Sequence, residues 1–254
     1  MEGVIRKPFQ GVTNIIRFNW HFYVIAAVII IALFIAAFLA TETLSILISI
    51  CIVLIVTSLF VSLAVSYYVY DRSKLYELEW LRGLSIQAGN VIVNINAGFD
   101  ETSGLIATKY PQAQLHVFDF YNPQNHTEIS IERARKVYAV FPGTQTVSTT
   151  SFPLQNSSVD FVFCFLAVHE IRDSEERTQF FKEAKRVLKP KGKIIVVEHI
   201  RDTANFLAYN IGFFHFVSIK EWKCNFHAAA LDLKEERKIT PFLSLFVLEN
   251  GTTS

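Results

Sequence analysis

Asn94, Asn96 and Gly98 close an apolar run in VIVNINAGFDETS, and Asp119 ends a second run 21 residues after Gly98. A turn leaving a strand often needs left-handed backbone. Gly supplies it freely and Asn is the best substitute, so Asn96 is expected to stand where a glycine normally would. Gly98 would let a ligand approach the backbone. An acidic side chain at the spacing of Asp119 can accept hydrogen bonds from both hydroxyls of a ribose, with Phe120 beside it to pack near an adenine ring. The plain alternative for Asp119 is a turn residue at a strand end. Asp100 and Glu101 fall at the start of the next helix, where free N–H groups attract anions. Two carboxylates there would repel a pyrophosphate, which favours a cofactor lacking phosphates over a dinucleotide.

Two ionisable pairs follow later apolar runs: His169-Glu170 after VDFVFCFL and Glu198-His199 at the end of KIIVVE. Histidine titrates near neutrality, so His169 is a candidate general base. Its alternative role is a local hydrogen bond that positions the loop. Glu170 is expected to orient a neighbour or to pair with Arg172. Glu198 and His199 read as a second polar pair, or as scaffolding for the loop.

Several elements must hold these groups. Strands are expected at 91–95, 114–118, 145–149, 159–166 and 193–198, with helices at 101–109, 127–138 (Thr127 as its N-cap) and from Asp173 to Leu188. Asp173 and Glu176 form a D-x-x-E capping pattern. Such alternation indicates a parallel sheet covered by helices, whose ligands bind beyond the carboxyl ends of the strands. Residues 228–238 and 241–249 read as a late hairpin that adds antiparallel strands.

The chain has 254 residues, of which 51% are hydrophobic, and a formal net charge of +1. That charge gives no support for a nucleic-acid partner. The apolar excess sits in two charge-free stretches, 22–40 and 44–70, separated by Thr41-Glu42-Thr43. Each is long enough to cross a bilayer as a helix. Arg6, Lys7 and Arg17 precede the pair, and Arg72, Lys74 and Arg82 follow it, which puts both termini and residues 71–254 in the cytoplasm. A cleaved signal peptide before a single anchor, or a buried helical hairpin, are the alternatives. Residues 1–70 are thus expected as an anchor and 71–254 as a globular domain. Cys51, Cys164 and Cys224 have neither disulfide nor metal-ligand spacing, and no metal is expected.

The globular part resembles the class I S-adenosylmethionine-dependent methyltransferases over roughly residues 71–250. SFPLQNSSVDFVFCFLAVHEIRD is similar to that family's segment around the fourth strand. AKRVLKPKGKIIVVE is similar to its RVLKPGG turn and fifth strand, and SIKEWKCNFHAAALDL resembles the helix before its last two strands. The ubiquinone/menaquinone-biosynthesis group is the most similar branch. The resemblance implies a Rossmann-like α/β fold, a mostly parallel seven-stranded sheet with an antiparallel C-terminal hairpin, and S-adenosylmethionine as cofactor. It puts Asn94 at the acidic position of the first motif, Asn96 and Asp100 at glycine positions, and Ala97 and Gly98 within the cofactor loop. It makes Asp119 the ribose acid and gives Ser148 and Thr149 the position of an acid near the adenine amino group. Leu166 through Glu170 match a segment that contacts cofactor and acceptor.

A membrane-anchored methyltransferase acting on a lipophilic acceptor, quinone-like, phenolic or lipid, is the function this implies. The bilayer and that acceptor are its expected partners. The aromatic run NFLAYNIGFFHFV at 205–217 lies where an acceptor-binding cover belongs. It would line an apolar pocket, touch the bilayer, or simply pack the core. Tyr70, Tyr76 and Trp80 in the bridge after the second span would close over the cofactor or seat the domain on the headgroups. The alternatives to the enzyme are a non-catalytic scaffold on a degenerate methyltransferase domain and a Rossmann-type dinucleotide enzyme.

Overall fold

The structure is a computed structural model, described here for residues 6–125 and 128–251. Thr127, expected as an N-cap, lies outside the described residues.

Apolar runs and turn residues divide the chain into two parts. The first holds α1 (Gln10–Phe18), α2 (Trp20–Leu39) and α3 (Glu42–Tyr67). Both α2 and α3 are long and apolar enough to cross a membrane. None of the α2 side chains is buried, and α3 buries only Ile52 and Ser66. Such an apolar surface facing outward has no aqueous stabilisation. A π-turn, Tyr68–Arg72, continues α3 into the second part.

The second part is a sheet with strand order β3-β2-β1-β4-β5-β7-β6. Its strands are β1 (Val91–Asn96), β2 (Gln114–Asp119), β3 (Gln145–Thr146), β4 (Val159–Phe165), β5 (Leu188–His199), β6 (Leu231–Thr240) and β7 (Leu243–Asn250). The first five run parallel, and β7 enters antiparallel between β5 and β6. The helices between them are α4 (Ser103–Lys109), α5 (Ile129–Arg135), α6 (Ser174–Val187), α7 (Thr203–Tyr209) and α8 (Ile219–Ala228). One core, with Phe118, Phe180, Phe181 and Trp222, fills one face of the sheet. The other face is covered by Val69, Leu75, Leu78 and Leu81 of the segment that follows α3. The connector that follows α3 is therefore part of the hydrophobic core.

Some boundaries differ from expectation for local reasons. The third strand stops at Thr146 because Ser148 and Ser151 form a separate tight bridge. The first helix of the domain starts at Ser103, where Asp100 accepts from the Thr102 and Ser103 amides, both at 2.9 Å. Asp173 caps α6 as expected, accepting from the Glu176 amide at 2.7 Å. The boundary expected at residue 70 does not separate the chain in space. Asp71 accepts from the Gly11 and Val12 amides at 2.7 and 2.8 Å, and α1 packs on the α5 side of the globular part.

Candidate active site

The carboxyl ends of β1, β2, β4 and β5 form one rim, and nearly all the expected residues meet there. On the β1 side, Asn94 is buried and its amide donates to Thr102 Oγ1 at 2.9 Å and Ser103 Oγ at 2.8 Å. It ties the strand to the head of α4. Asn96 corrects an expectation, since its backbone is not left-handed. Its side chain forms the turn instead, Oδ1 accepting from the Gly98 amide at 3.0 Å. Gly98 supplies the positive φ, 96°. A Cβ there would meet Tyr121 Cβ at 2.9 Å, so no other residue fits without movement. Ala97 is buried beneath the turn. Among the described residues, Asn94 Oδ1, Asn96 Nδ2 and Asp100 Oδ2 are buried without hydrogen-bond partners. Three such atoms on one loop are costly unless a polar ligand satisfies them.

Asp119 sits at the end of β2, beside Asn96 in the register. One oxygen accepts from the Tyr121 amide at 2.8 Å and the other pairs with Arg135, which also reaches the Gly98 carbonyl at 3.3 Å. The sequence reading missed Arg135, since nothing in its neighbourhood marks it as the partner of Asp119. Phe120 is a second correction: it is buried and meets Phe180 edge-on at 5.8 Å, within the core. Ser148 is exposed and hydrogen-bonds Thr150, while Thr149 is buried and donates to Glu176 at 2.7 Å.

Glu101 joins this rim to the N-terminal segment. It pairs with Arg6 at 2.6 Å and accepts from Tyr76 at 2.8 Å, with the Arg6 guanidinium 3.5 Å above the Tyr76 ring. Phe18 of α1 meets Phe99 edge-on at 5.8 Å. Arg6, expected only as a flanking charge, thus closes α1 over the loop. Trp80 lies elsewhere, against Phe165 beneath the sheet.

The β4–β5 side is built from charges. Leu166 ends β4 with a positive φ of 52°, a strained turn for a branched residue, and its amide donates to the Val197 carbonyl. Glu198 is fully buried and one of its oxygens accepts from the amides of Ala167, Val168 and His169. The other oxygen meets His169 Nδ1 at 2.6 Å. His169 Nε2 lies 3.0 Å from Glu170, which also receives His215 Nε2 at 3.0 Å. Burial alone would lower the His169 pKa, but Glu198 and Glu170 outweigh it and push it up to about 10. Burial opposes ionisation of Glu170, yet His169 and His215 hold its carboxyl well below the usual range. His169 is therefore an imidazolium at neutral pH, and the expectation of a free base at this position is corrected by its two carboxylate neighbours.

Glu170 keeps its expected second partner only loosely, with Arg172 at 3.7 Å. The donor atoms of His169, Glu170 and His215 lie within 4.8 Å of one another. The Arg172 guanidinium contacts both ring nitrogens of His215. His215 was not singled out from sequence. Its signal was a lone imidazole in an otherwise aromatic run.

His199 differs from His169. Its Nδ1 donates to Asn205 Oδ1 at 3.0 Å, because the Asn205 amide nitrogen is already committed to Asp202 and the Phe242 carbonyl. Nε2 is left to accept from the Tyr70 hydroxyl at 2.8 Å. Burial lowers its pKa to about 4 despite the Asn205 hydrogen bond, with the His169 charge adding to the effect.

Residues 104–196 match the model of a family described as a methyltransferase domain. The fold is similar to that of a methyltransferase dependent on S-adenosylmethionine (SAM) from Aquifex aeolicus (TM-score 0.50, 15% identity, 71% of this chain and 94% of that one). It is also similar to the structure of a complex between the Haloferax volcanii Trm112 methyltransferase activator and the putative methyltransferase (TM-score 0.53, 14% identity, 72% and 92%). A third similar structure is the [4+2]-cyclase SpnF (TM-score 0.50, 13% identity, 71% and 81%). No curated protein matches the sequence. The fold is that of the class I methyltransferases, and the matched segment lies within it. SAM is the cofactor of this class.

The residues present fit that cofactor with one rearrangement. The three unpartnered polar atoms of the loop suit the charged amino-acid end, and Asp119 suits the ribose once Arg135 leaves it.

Proposed function

We propose that the protein is a two-pass membrane methyltransferase that transfers a methyl group to a lipophilic small molecule. In this reading both termini and the catalytic domain lie on the cytoplasmic side, as the flanking arginines and lysines favour. One observation carries the proposal. Tyr70, in the π-turn that extends the second apolar helix, donates to His199 at the end of β5. A membrane helix thus supplies one wall of the cleft, which suits an acceptor that arrives from lipid.

The cofactor supplies a methyl group already activated by a positive sulfur. The chain has to orient the acceptor, exclude water and accept a proton where one is lost. Asn94, Asn96, Ala97, Gly98 and Asp119 would hold the cofactor, with Ser148, Thr149 and Leu166 near its adenine end and the rim. His169, held at both ring nitrogens by Glu198 and Glu170, would fix the loop after β4 and lend its positive charge to the cleft. His199 is neutral, with its Nε2 accepting from the Tyr70 hydroxyl, and this pair would form the wall of the cleft that orients the acceptor.

A second reading, a non-catalytic scaffold, is favoured by Arg135 on the ribose acid and by Ser148 in place of an acid. That a similar fold belongs to a [4+2]-cyclase underlines that fold alone does not set the reaction. Calorimetric titration of the detergent-purified full-length chain with SAM and S-adenosylhomocysteine separates the two. Micromolar binding supports the enzyme. No binding at millimolar ligand leaves the scaffold.

A further inference from the structure

The segment from Thr203 to His215 carries an apolar surface that stands exposed among the described residues. It consists of α7 and the 3-10 turn Asn210–His215. Phe206 is 47% exposed, Leu207 65%, Ile211 84% and Phe214 66%. All four side chains are exposed, while Asn205 and Ala208 of the same segment are buried on its inner side.

Where this surface points follows from helix lengths. The first apolar helix, α2, has 20 residues and is about 30 Å long, the thickness of a bilayer's hydrocarbon layer. The antiparallel α3 has 26 residues, so its first twenty, Glu42 to Val61, match α2 and the rest extend beyond it. Ser66 and Val69, in that extension, are buried in the globular part. Asn210 Nδ2 donates to Ser58 Oγ at 2.8 Å. Ser58 lies three residues before Val61, about 4.5 Å inside the boundary of the apolar layer. Phe9, 58% exposed, stacks on Tyr67 further out along the same helix.

We infer that α7 and the following 3-10 turn form a third membrane contact, with Phe206, Leu207, Ile211 and Phe214 inserted in the leaflet next to the globular domain. The inference rests on the reading that α2 and α3 span the bilayer. The occupant of the surface is lipid, because the hydrogen bond to Ser58 fixes the segment at the level where the acyl region begins. The same turn ends at His215, which reaches Glu170 in the cleft. An acceptor dissolved in this leaflet therefore reaches the cleft along the inserted segment without crossing water.

The test uses the full-length chain with Cys51→Ser and Cys224→Ser, leaving buried Cys164 in place. Single substitutions Ile211→Cys, Phe214→Cys, Val28→Cys and Gln112→Cys carry an environment-sensitive fluorophore. Gln112 lies at the opposite rim of the sheet, just before β2. The proteins are reconstituted in phosphatidylcholine–phosphatidylglycerol vesicles with lipids spin-labelled either near the headgroup or near the chain end. The inference expects the labels at 211 and 214 to lose most of their emission to the shallow quencher, the label at 28 to the deep one, and the label at 112 to neither. Quenching at 28 without quenching at 211 and 214 overturns the inference and leaves the spanning reading intact. A blue-shifted, unquenched label at 211 also overturns it, since protein rather than lipid then covers the surface. No quenching at 28 removes the spanning reading itself.

Discussion

The two sides of the cleft solve the burial of polar groups in opposite ways. On the β4–β5 side, Glu198, His169, Glu170, His215 and Arg172 form a chain of ion pairs and hydrogen bonds in which each group has a partner. On the β1–β2 side, the acidic and glycine positions of the resembled motif hold asparagine and aspartate, and three buried polar atoms lack partners. A satisfied ionic chain is expensive to break, whereas unsatisfied atoms gain by meeting a ligand. The contrast separates a framework from a binding surface within one rim.

The largest effect is expected on the framework side. Glu198→Ala leaves the His169 charge and three amides without their acceptor. It should cost about 3–5 kcal/mol, read as a lowered unfolding midpoint in detergent. An unchanged midpoint would mean that Glu198 is not the anchor of this side.

Stability should also depend on pH through the two histidines, in opposite directions. His199 has a folded pKa of about 4, below its unfolded value, so the folded state binds fewer protons between about pH 4 and 6.5. Stability falls as pH drops through that window, by at most about 3 kcal/mol. His169 has a folded pKa of about 10, so its contribution is fully present below about pH 6.5 and is lost as pH rises toward 10. Thermal unfolding from pH 4 to 10 should show both limbs. His199→Gln should remove the acidic one and His169→Gln the alkaline one; a limb that survives its substitution belongs to another group.

The binding surface is expected to respond in affinity. Asp119→Ala should weaken S-adenosylhomocysteine by more than about tenfold, roughly 1.4 kcal/mol. Arg135→Ala should tighten it, because the ribose acid is released from its present partner. Calorimetry reads both, and weaker binding in Arg135→Ala would show that the arginine contacts the cofactor and does not compete with it. The smallest effect belongs to Ser58→Ala, which removes one hydrogen bond between α3 and the turn after α7 and should cost about 1 kcal/mol. An effect several times larger would assign Ser58 a role beyond that bond.

The strands, the two apolar helices and the placing of His169 and Glu198 at the ends of two strands were legible in the sequence, because hydrophobic period and strand-end position are local properties. Asp119 was legible by its spacing from Gly98. Its ion pair with Arg135 was not, since the partner sits on the next helix where any residue of that face is equally marked. The Arg6–Glu101 pair spans 95 positions, and only the fold joins them. The positive residues before the first span were read as flanking charges, which hid α1 as part of the domain. Asn96 was assigned the right job with the wrong means, side chain in place of backbone, because both means favour asparagine at a turn.

The π-turn at Tyr68–Arg72 has a mechanical consequence. It leaves no slack between α3 and the sheet, and its own Val69 is buried in the core. A domain on a loose tether samples many heights and orientations above a surface; one on a stiff mast keeps a single height and a single heading. On the function proposed above, the target atom of the acceptor would ride at one depth, and selection among lipophilic molecules would become a measurement of length along the acyl layer.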